Sequence, residues 1–319
     1  MLGCAPSSPR PNEAPGSGRW QHRLSLAPGG AMKLARSGDS WFVVVEAGAV
    51  DVTDLIESVG PSWPSLCERF KSVQDDLARA CVSRSPVEVD RCRLDAPIVA
   101  PSKIVGVLGN DIDRLRPGGD GGDGEIDATL DFFLKAPSSL IGPSGSVRLP
   151  LLDSPLDVST RLARVVPECE LAVVVGRGGD NLAVSEIPDH IFGYTIGLDL
   201  TARGPTERSR RKSFTTFCPV GPWIVTPDET GDDWDLDVTL RIGDDLHQKW
   251  STRQMAYPVA EVVSWVSRCV RLEPGDLILT GAPKMTRVLE PGDRLCGEID
   301  RIGKLEIDVD GPVPLRGER

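Results

Sequence analysis

PECELAVVVG, residues 167–176, places two glutamates one residue apart at the head of an apolar run. Side chains at i and i+2 of a strand share a face, so Glu168 and Glu170 project together while Cys169 points the other way. Neighbouring carboxylates repel, and burying them without partners is costly. Two arrangements answer this. Either the pair stands exposed at a strand start, or a hard divalent cation such as Mg2+, Mn2+ or Ca2+ sits against it, chosen over zinc by oxygen ligands.

Downstream, GYTIGLDLTARG sets Asp199 in an apolar strand, an unusual place for a carboxylate. It is either a third oxygen ligand or a turn or cap aspartate. RRKSFTTFCPVGPW then supplies Lys212. Three carboxylates on one divalent ion leave a net charge of about −1, so an anionic substrate needs a nearby cation, and Lys212 is the candidate. Alternatively Arg208, Arg210, Arg211 and Lys212 form a solvated basic face.

The rest of the chain frames this strand pair. The 319 residues suffice for one large domain, or a large one with a small companion. With 40% hydrophobic and 26% charged residues the composition is that of a globular protein, and a net charge of −11 argues against nucleic acid and anionic membrane surfaces as partners. No apolar run reaches the roughly 20 residues needed to span a bilayer. Eight cysteines occur without a C-x-x-C pair, which reads as a reduced, cytoplasmic thiol set, and with only three histidines a zinc site is not expected.

Residues 1–31 are rich in Pro, Gly and Ser and read as a disordered or mis-assigned extension, with Met32 a candidate start. Residues 32–98 read as a small N-terminal α+β domain. WFVVVEAG and AVDVTDL are expected strands, and WPSLCERFKSVQDDLARACV (63–82) is an expected amphipathic helix. Residues 99–319 read as the larger domain. There KIVGVLG, LAVVVG, IFGYTIGLDLT, PWIVT, DVTLRIGD, DLILTG and RLCGEIDRIGKLEIDV are strand-like, and YPVAEVVSWVSRCVRL is the clearest helix. The fold class is therefore α+β and β-dominated. RPGGDGGDGEID (116–127) reads as a mobile loop.

FLKAPSSLIGP, ECELAVVVGR, GYTIGLDLTAR, RKSFTTFCPVGPW and LEPGDLILTGAP occur in this order, and together they resemble the fumarylacetoacetate hydrolase family over about 103–310. The resemblance implies a mixed β-roll catalytic domain, a homodimer, and a Mg2+ or Mn2+ ion. The family's E-x-E pair matches Glu168 and Glu170, the aspartate of its D-x-T-A-R motif matches Asp199, and the lysine of its K-S-F motif matches Lys212. The implied substrates are small anionic oxo acids, namely 2-oxo and 1,3-dicarbonyl acids. The implied reactions are C–C hydrolysis, decarboxylation and isomerisation through an enolate that a Lewis acid stabilises.

The chain also departs from the family pattern. Its hydrolases read G-L-N-Y-x-D-H after the first core strand, where the histidine helps activate water. Here the segment is GVLGNDIDRLRP: Asn110 and Asp113 keep their places, Asp111 replaces the aromatic, and Arg114 stands where the histidine should be. A guanidinium is always protonated and cannot serve as a general base near pH 7. His190 and His247 fall in surface-like contexts. Gly204, Thr215, Ala282 and the run Lys284–Arg287 depart as well.

Three functions follow. One is a metal-dependent lyase or isomerase in which Lys212 is catalytic and Arg114, Asn110, Thr280 and Arg287 contact substrate. The second is a hydrolase whose base is Asp111, Asp113 or Glu125. The third is a non-catalytic binding protein.

Overall fold

A computed structural model of the protein describes residues 32–60, 62–112, 130–150, 164–204, 207–227 and 235–312. The expected extension at 1–31 and the loop at 116–127 lie outside the described residues, as do Asp113, Arg114 and Glu125.

The chain begins with β1 (Lys33–Ser37), β2 (Ser40–Val45) and β3 (Gly48–Asp51), followed by α1 (Thr53–Ser58), α2 (Trp63–Arg69) and α3 (Gln74–Ser83). Then come β4 (Ile104–Leu108), β5 (Asp131–Lys135), β6 (Leu140–Ile141), β7 (Ser146–Arg148), β8 (Arg164–Val175), β9 (Ile191–Arg203), α4 (Arg208–Lys212) and β10 (Cys218–Val225). The last part holds β11 (Asp237–Ile242), β12 (Asp245–Ser251), α5 (Val259–Cys269), β13 (Leu277–Leu279), β14 (Arg294–Ile299) and β15 (Gly303–Asp310).

Two sheets result. The larger has the order β3-β2-β1-β10-β9-β8-β13-β4-β5, with β6 joined to β10, and the smaller has the order β12-β11-β14-β15-β7. Pairing is mixed: β13 runs parallel to β4 and β15 parallel to β7, while the other ladders of the two main paths are antiparallel. This is the α+β, β-dominated fold read from the sequence.

The apolar run at 167–176 is explained by β8 being covered on both faces. Cys169, Leu171, Val173 and Val175 join a core with residues of the smaller sheet such as Val238, Leu240, Leu295 and Leu305. Ala172 and Val174 join a second core, with Leu34, Val43, Trp63, Leu66 and Phe70 from the N-terminal segment. Glu168 and Glu170 have the parity of Ala172 and Val174, so they belong to the second face, beyond where the N-terminal helices cover it.

The N-terminal segment extends the same sheet. β1 pairs with β10 through Lys33↔Val225 and Leu34↔Ile224, and the Met32 N–H donates to Thr226 Oγ1 at 2.8 Å. Ile98 and Ile104, on either side of the expected boundary at 98/99, sit in one cluster.

The helix expected over 63–82 is interrupted: a 3-10 turn at Phe70–Ser72 separates α2 from α3. Its apolar stripe is continuous nonetheless, with Trp63, Leu66, Phe70, Val73, Leu77 and Ala80 all buried.

Trp63 anchors α2. Its ring stacks on Trp41 at 5.8 Å, meets Phe192 edge-on, and donates from Nε1 to the Gly275 carbonyl at 3.0 Å. Trp63→Ala should therefore cost about 3–5 kcal/mol in urea unfolding, the usual range for deleting a buried large aromatic. A loss below about 1 kcal/mol would show that α2 is not anchored there.

Candidate metal centre and active site

β8 and β9 form a long antiparallel ladder in which Glu168 lies opposite Asp199 and Glu170 opposite Gly197. Directly opposed residues share a face, so the three carboxylates converge. One oxygen from each lies within 4.8 Å of the others. Gly197 lets neighbouring side chains pack closely on this face: a Cβ there would stand 2.4 Å from Leu279 Cδ2 and 3.3 Å from Ala172 Cβ. Glu170 and Asp199 are buried and Glu168 is nearly so.

Two lysines answer the charge. Lys212, at the end of α4, donates from Nζ to Asp199 Oδ2 and stands 3.7 Å from Glu168 Oε2. Lys135, at the end of β5, donates to Asp199 Oδ1 at 2.6 Å and to the Leu200 carbonyl at 3.3 Å. Lys212 also lies 4.4 Å above the Phe133 ring. Burial alone would raise the Asp199 carboxyl pKa, but the two ammonium groups outweigh it and hold the pKa below its ordinary value. Burial pushes the Glu168 carboxyl up, partly offset by Lys212. Burial pushes Glu170 far higher, reinforced by the negative charge of Asp199 and Glu168. Burial would lower the Lys212 pKa, and Asp199 and Glu168 overcome this and raise it.

Glu168 and Glu170 are thus strained as anions and lack enough cationic charge, which a divalent ion would provide. The donor set is all oxygen, which suits a hard divalent ion. Three carboxylates, two ammonium groups and one divalent cation sum to a single positive charge, which favours an anionic substrate.

The backbone around the pair is pinned. Gly281, at φ +89°, turns its N–H to Glu170 Oε2 at 2.7 Å. That left-handed conformation favours glycine, and a Cβ would also stand 3.1 Å from the Val107 carbonyl. Between the glutamates, the Cys169 N–H donates to Gln248 Oε1 at 2.9 Å and its carbonyl accepts from Trp250 Nε1 at 3.2 Å. Gln248 Nε2 reaches on to the Pro283 carbonyl at 2.9 Å, tying the strand to the loop that carries Gly281.

The expected substrate contacts are placed as follows. Asn110 is buried, donating from Nδ2 to the Thr280 carbonyl at 2.9 Å and accepting the Tyr257 N–H at 2.8 Å. The Thr280 hydroxyl donates to the Leu171 carbonyl at 2.9 Å. Arg287 pairs with Asp293 at 3.3 Å. Asp111 bridges to Met255, while Asp113, Arg114 and Glu125 lie outside the described residues. His190 corrects one expectation: it is buried, not surface-like, because Nδ1 is held 2.8 Å from the Arg177 carbonyl.

Lys135 was missed as a site residue although FLKAPSS contains it. The available signal was its parity with Phe133 on a strand, which puts a lysine on the buried face.

Fold and site together define a candidate divalent-metal centre on a mixed β scaffold. Residues 103–310 match the family of the fumarylacetoacetate (FAA) hydrolase C-terminal domain. The chain is 33% identical over 311 residues to the oxaloacetate tautomerase fahd2, mitochondrial, of Xenopus laevis, covering 91% of this chain and 93% of that one. It is similar to the crystal structure of maleylpyruvate hydrolase from Sphingobium sp. SYK-6 in complex with manganese (II) ion and pyruvate, with TM-score 0.74, 31% identity, and coverage of 88% of this chain and all of that chain. It is also similar to 2-hydroxyhepta-2,4-diene-1,7-dioate isomerase from Mycobacterium marinum, with TM-score 0.57, 35% identity, and coverage of 69% and 78%. The chain belongs to the fumarylacetoacetate hydrolase family and is an enzyme of that family.

Chelator-treated protein titrated with Mn2+ in a calorimeter should show one site. Glu170→Gln should abolish it, and Gly281→Ala should weaken it about 10- to 100-fold, the usual effect of removing a group that orients a ligand. Unchanged Mn2+ affinity in both variants would place the ion elsewhere.

Proposed function

We propose that the enzyme is a metal-dependent lyase or isomerase that acts on a 2-oxo or 1,3-dicarbonyl acid through its enolate, by decarboxylation or by keto–enol or double-bond isomerisation, without an attacking water. The carrying observation is Lys212, a buried ammonium group held against Asp199 and Glu168. Glu168, Glu170 and Asp199 would hold a Mg2+ or Mn2+ ion. When bound, that ion supplies Lewis-acid stabilisation of negative charge developing on the substrate's oxygens.

The side chains supply the proton chemistry. Lys212 Nζ is a charged donor, and an enolate needs a proton at C3 to return to the keto form. In the reverse direction the neutral amine takes the proton from C3, and Asp199 restores the ammonium's position. Decarboxylation ends in the same C3 protonation. None of these reactions needs a water-activating histidine, and the sequence carries Arg114 at that place. Lys135 holds Asp199 from its other side, so the aspartate stays fixed while Lys212 changes charge. A homodimer working in the cytoplasm completes this reading; the free thiols of the described cysteines support its cytoplasmic part alone.

A second reading is C–C hydrolysis, favoured by the similarity to the Sphingobium maleylpyruvate hydrolase. It requires a different base, for which Asp111 is a candidate. Family membership argues against the non-catalytic alternative.

The two readings separate by NMR in D2O with Mg2+-loaded enzyme and a panel of 2-oxo acids and acylpyruvates. Deuterium should enter at C3 in a metal-dependent way, without hydrolysis products. Lys212→Met should slow it about 10²- to 10⁴-fold, the usual contribution of a positioned proton-transfer group. Hydrolysis products appearing as fast as C3 exchange would overturn the proposal in favour of the hydrolase.

A further inference from the structure

Lys212 is carried by α4, a helix of five residues. A helix this short does not hold itself in water, so what it packs against decides where the lysine points. α4 runs alongside β5 and is tied to it at both ends. At its start Arg208 pairs with Asp131 at 3.2 Å, and just past its end Ser213 Oγ accepts the Ala136 N–H at 2.9 Å. Between these ties Lys212 Nζ lies over the Phe133 ring, 4.4 Å from its centroid.

The ring is itself seated. In the β4–β5 ladder Phe133 stands opposite Gly106, and a Cβ on Gly106 would come within 2.1 Å of Phe133 Cζ. A glycine inside a strand weakens it and marks a place where another group approaches closely. Here the bare backbone admits the edge of the ring, and the ring's negative face is left to the ammonium group. Both side chains are buried, where such a contact is stronger than in water. Two residues on, and on the same face of β5, Lys135 donates to Asp199 Oδ1 at 2.6 Å. One strand therefore supplies both the ring against Lys212 and the ammonium group that fixes the partner of Lys212. With Asp199 Oδ2, Glu168 Oε2 and the ring around it, Nζ is bounded on three sides. A flexible four-carbon side chain is thereby held to one place.

We propose that Phe133 is a positioning residue for the proton transfer: its ring holds Lys212 Nζ to one face of the enolate, so that exchange at a C3 methylene is stereospecific. The proposal rests on reading Lys212 as the group that moves the C3 proton, and adds that it moves only one of the two hydrogens there. The C3–H bond breaks, its electron pair passes into the enolate, and its proton joins the two hydrogens of the neutral amine. On return any one of the three goes back to C3 on the same face. In D2O the amine hydrogens are deuterium, so one position exchanges and the other keeps its hydrogen.

The test uses the full chain loaded with Mg2+ in D2O, with 2-oxobutyrate and 2-oxoglutarate as probes, since C3 is a methylene in both. Mass spectrometry counts the deuterium, and the enzyme-free rate is subtracted. Wild type should add one deuterium and stop. Phe133→Leu and Phe133→Met keep apolar bulk and remove the π face. Each should lower kcat for exchange about tenfold, as expected for a buried cation–π contact, with KM held within about twofold. Each should also let a second deuterium enter. Gly106→Ala, which displaces the ring, should act in the same direction. Mn2+ affinity, read by calorimetry, should stay at the wild-type value in all three. Two deuteriums entering at equal rates in wild type would overturn the proposal, and this outcome needs no variant to fold. So would a wild-type rate and count in the Phe133 variants, or a loss of rate matched by a loss of Mn2+ binding, which would make the ring structural only. No enzyme-dependent exchange in wild type, or exchange that survives Lys212→Met, would overturn the functional reading and the positioning role with it.

Discussion

Three carboxylates held side by side in the interior of a sheet, and two ammonium groups placed against them, are the constraint on which the rest of this structure turns. Like charges this close, screened from water, repel strongly and are tolerated only with compensation. Asp199 receives it twice, from Lys135 and Lys212. Glu170 receives one backbone N–H and no lysine of its own, and burial pushes its carboxyl far above the ordinary range. The asymmetry makes chemical sense. The lysines hold the aspartate in place, and the glutamates are left needing a cation.

The scaffold is arranged to keep that geometry rigid. The β8–β9 ladder fixes Glu168 against Asp199 by register, so no loop is involved in bringing them together. The smaller sheet reaches across with Gln248 and Trp250 to hold both backbone polar groups of Cys169, the residue between the two glutamates. Gln248 then ties that point to the loop bearing Gly281. Such support matters because a displacement of about 1 Å at a reacting group can cost on the order of a hundredfold in rate.

Much of this was legible in the sequence, and the parts that were not share a physical reason. The two-residue period of a strand put Glu168 and Glu170 on one face, and the structure has them there. Asp199 was visible as an unusual carboxylate in an apolar strand. That it lies opposite Glu168 was not, because register between strands separated by a long connection is set by burial and turns elsewhere. Lys135 shares the buried parity of Phe133 on β5, but that it reaches Asp199 on β9 is visible only in the fold. β12 carries Gln248 and Trp250 at alternate positions in a mostly polar stretch, so its buried face was hidden. β1 was missed for a similar reason. Its sequence KLARS has little apolar text, and it becomes a strand by pairing with β2 and β10. The stripe along 63–82 was legible as a helical period, whereas its break at Phe70–Ser72 was not.

The most direct test of the central claim is a crystal of the protein soaked in Mn2+ and measured for anomalous scattering. The account predicts one strong peak enclosed by the carboxylates of Glu168, Glu170 and Asp199, with Lys135 still turned to Asp199. A peak elsewhere in the molecule, with these three carboxylates unoccupied at saturating Mn2+, would contradict it.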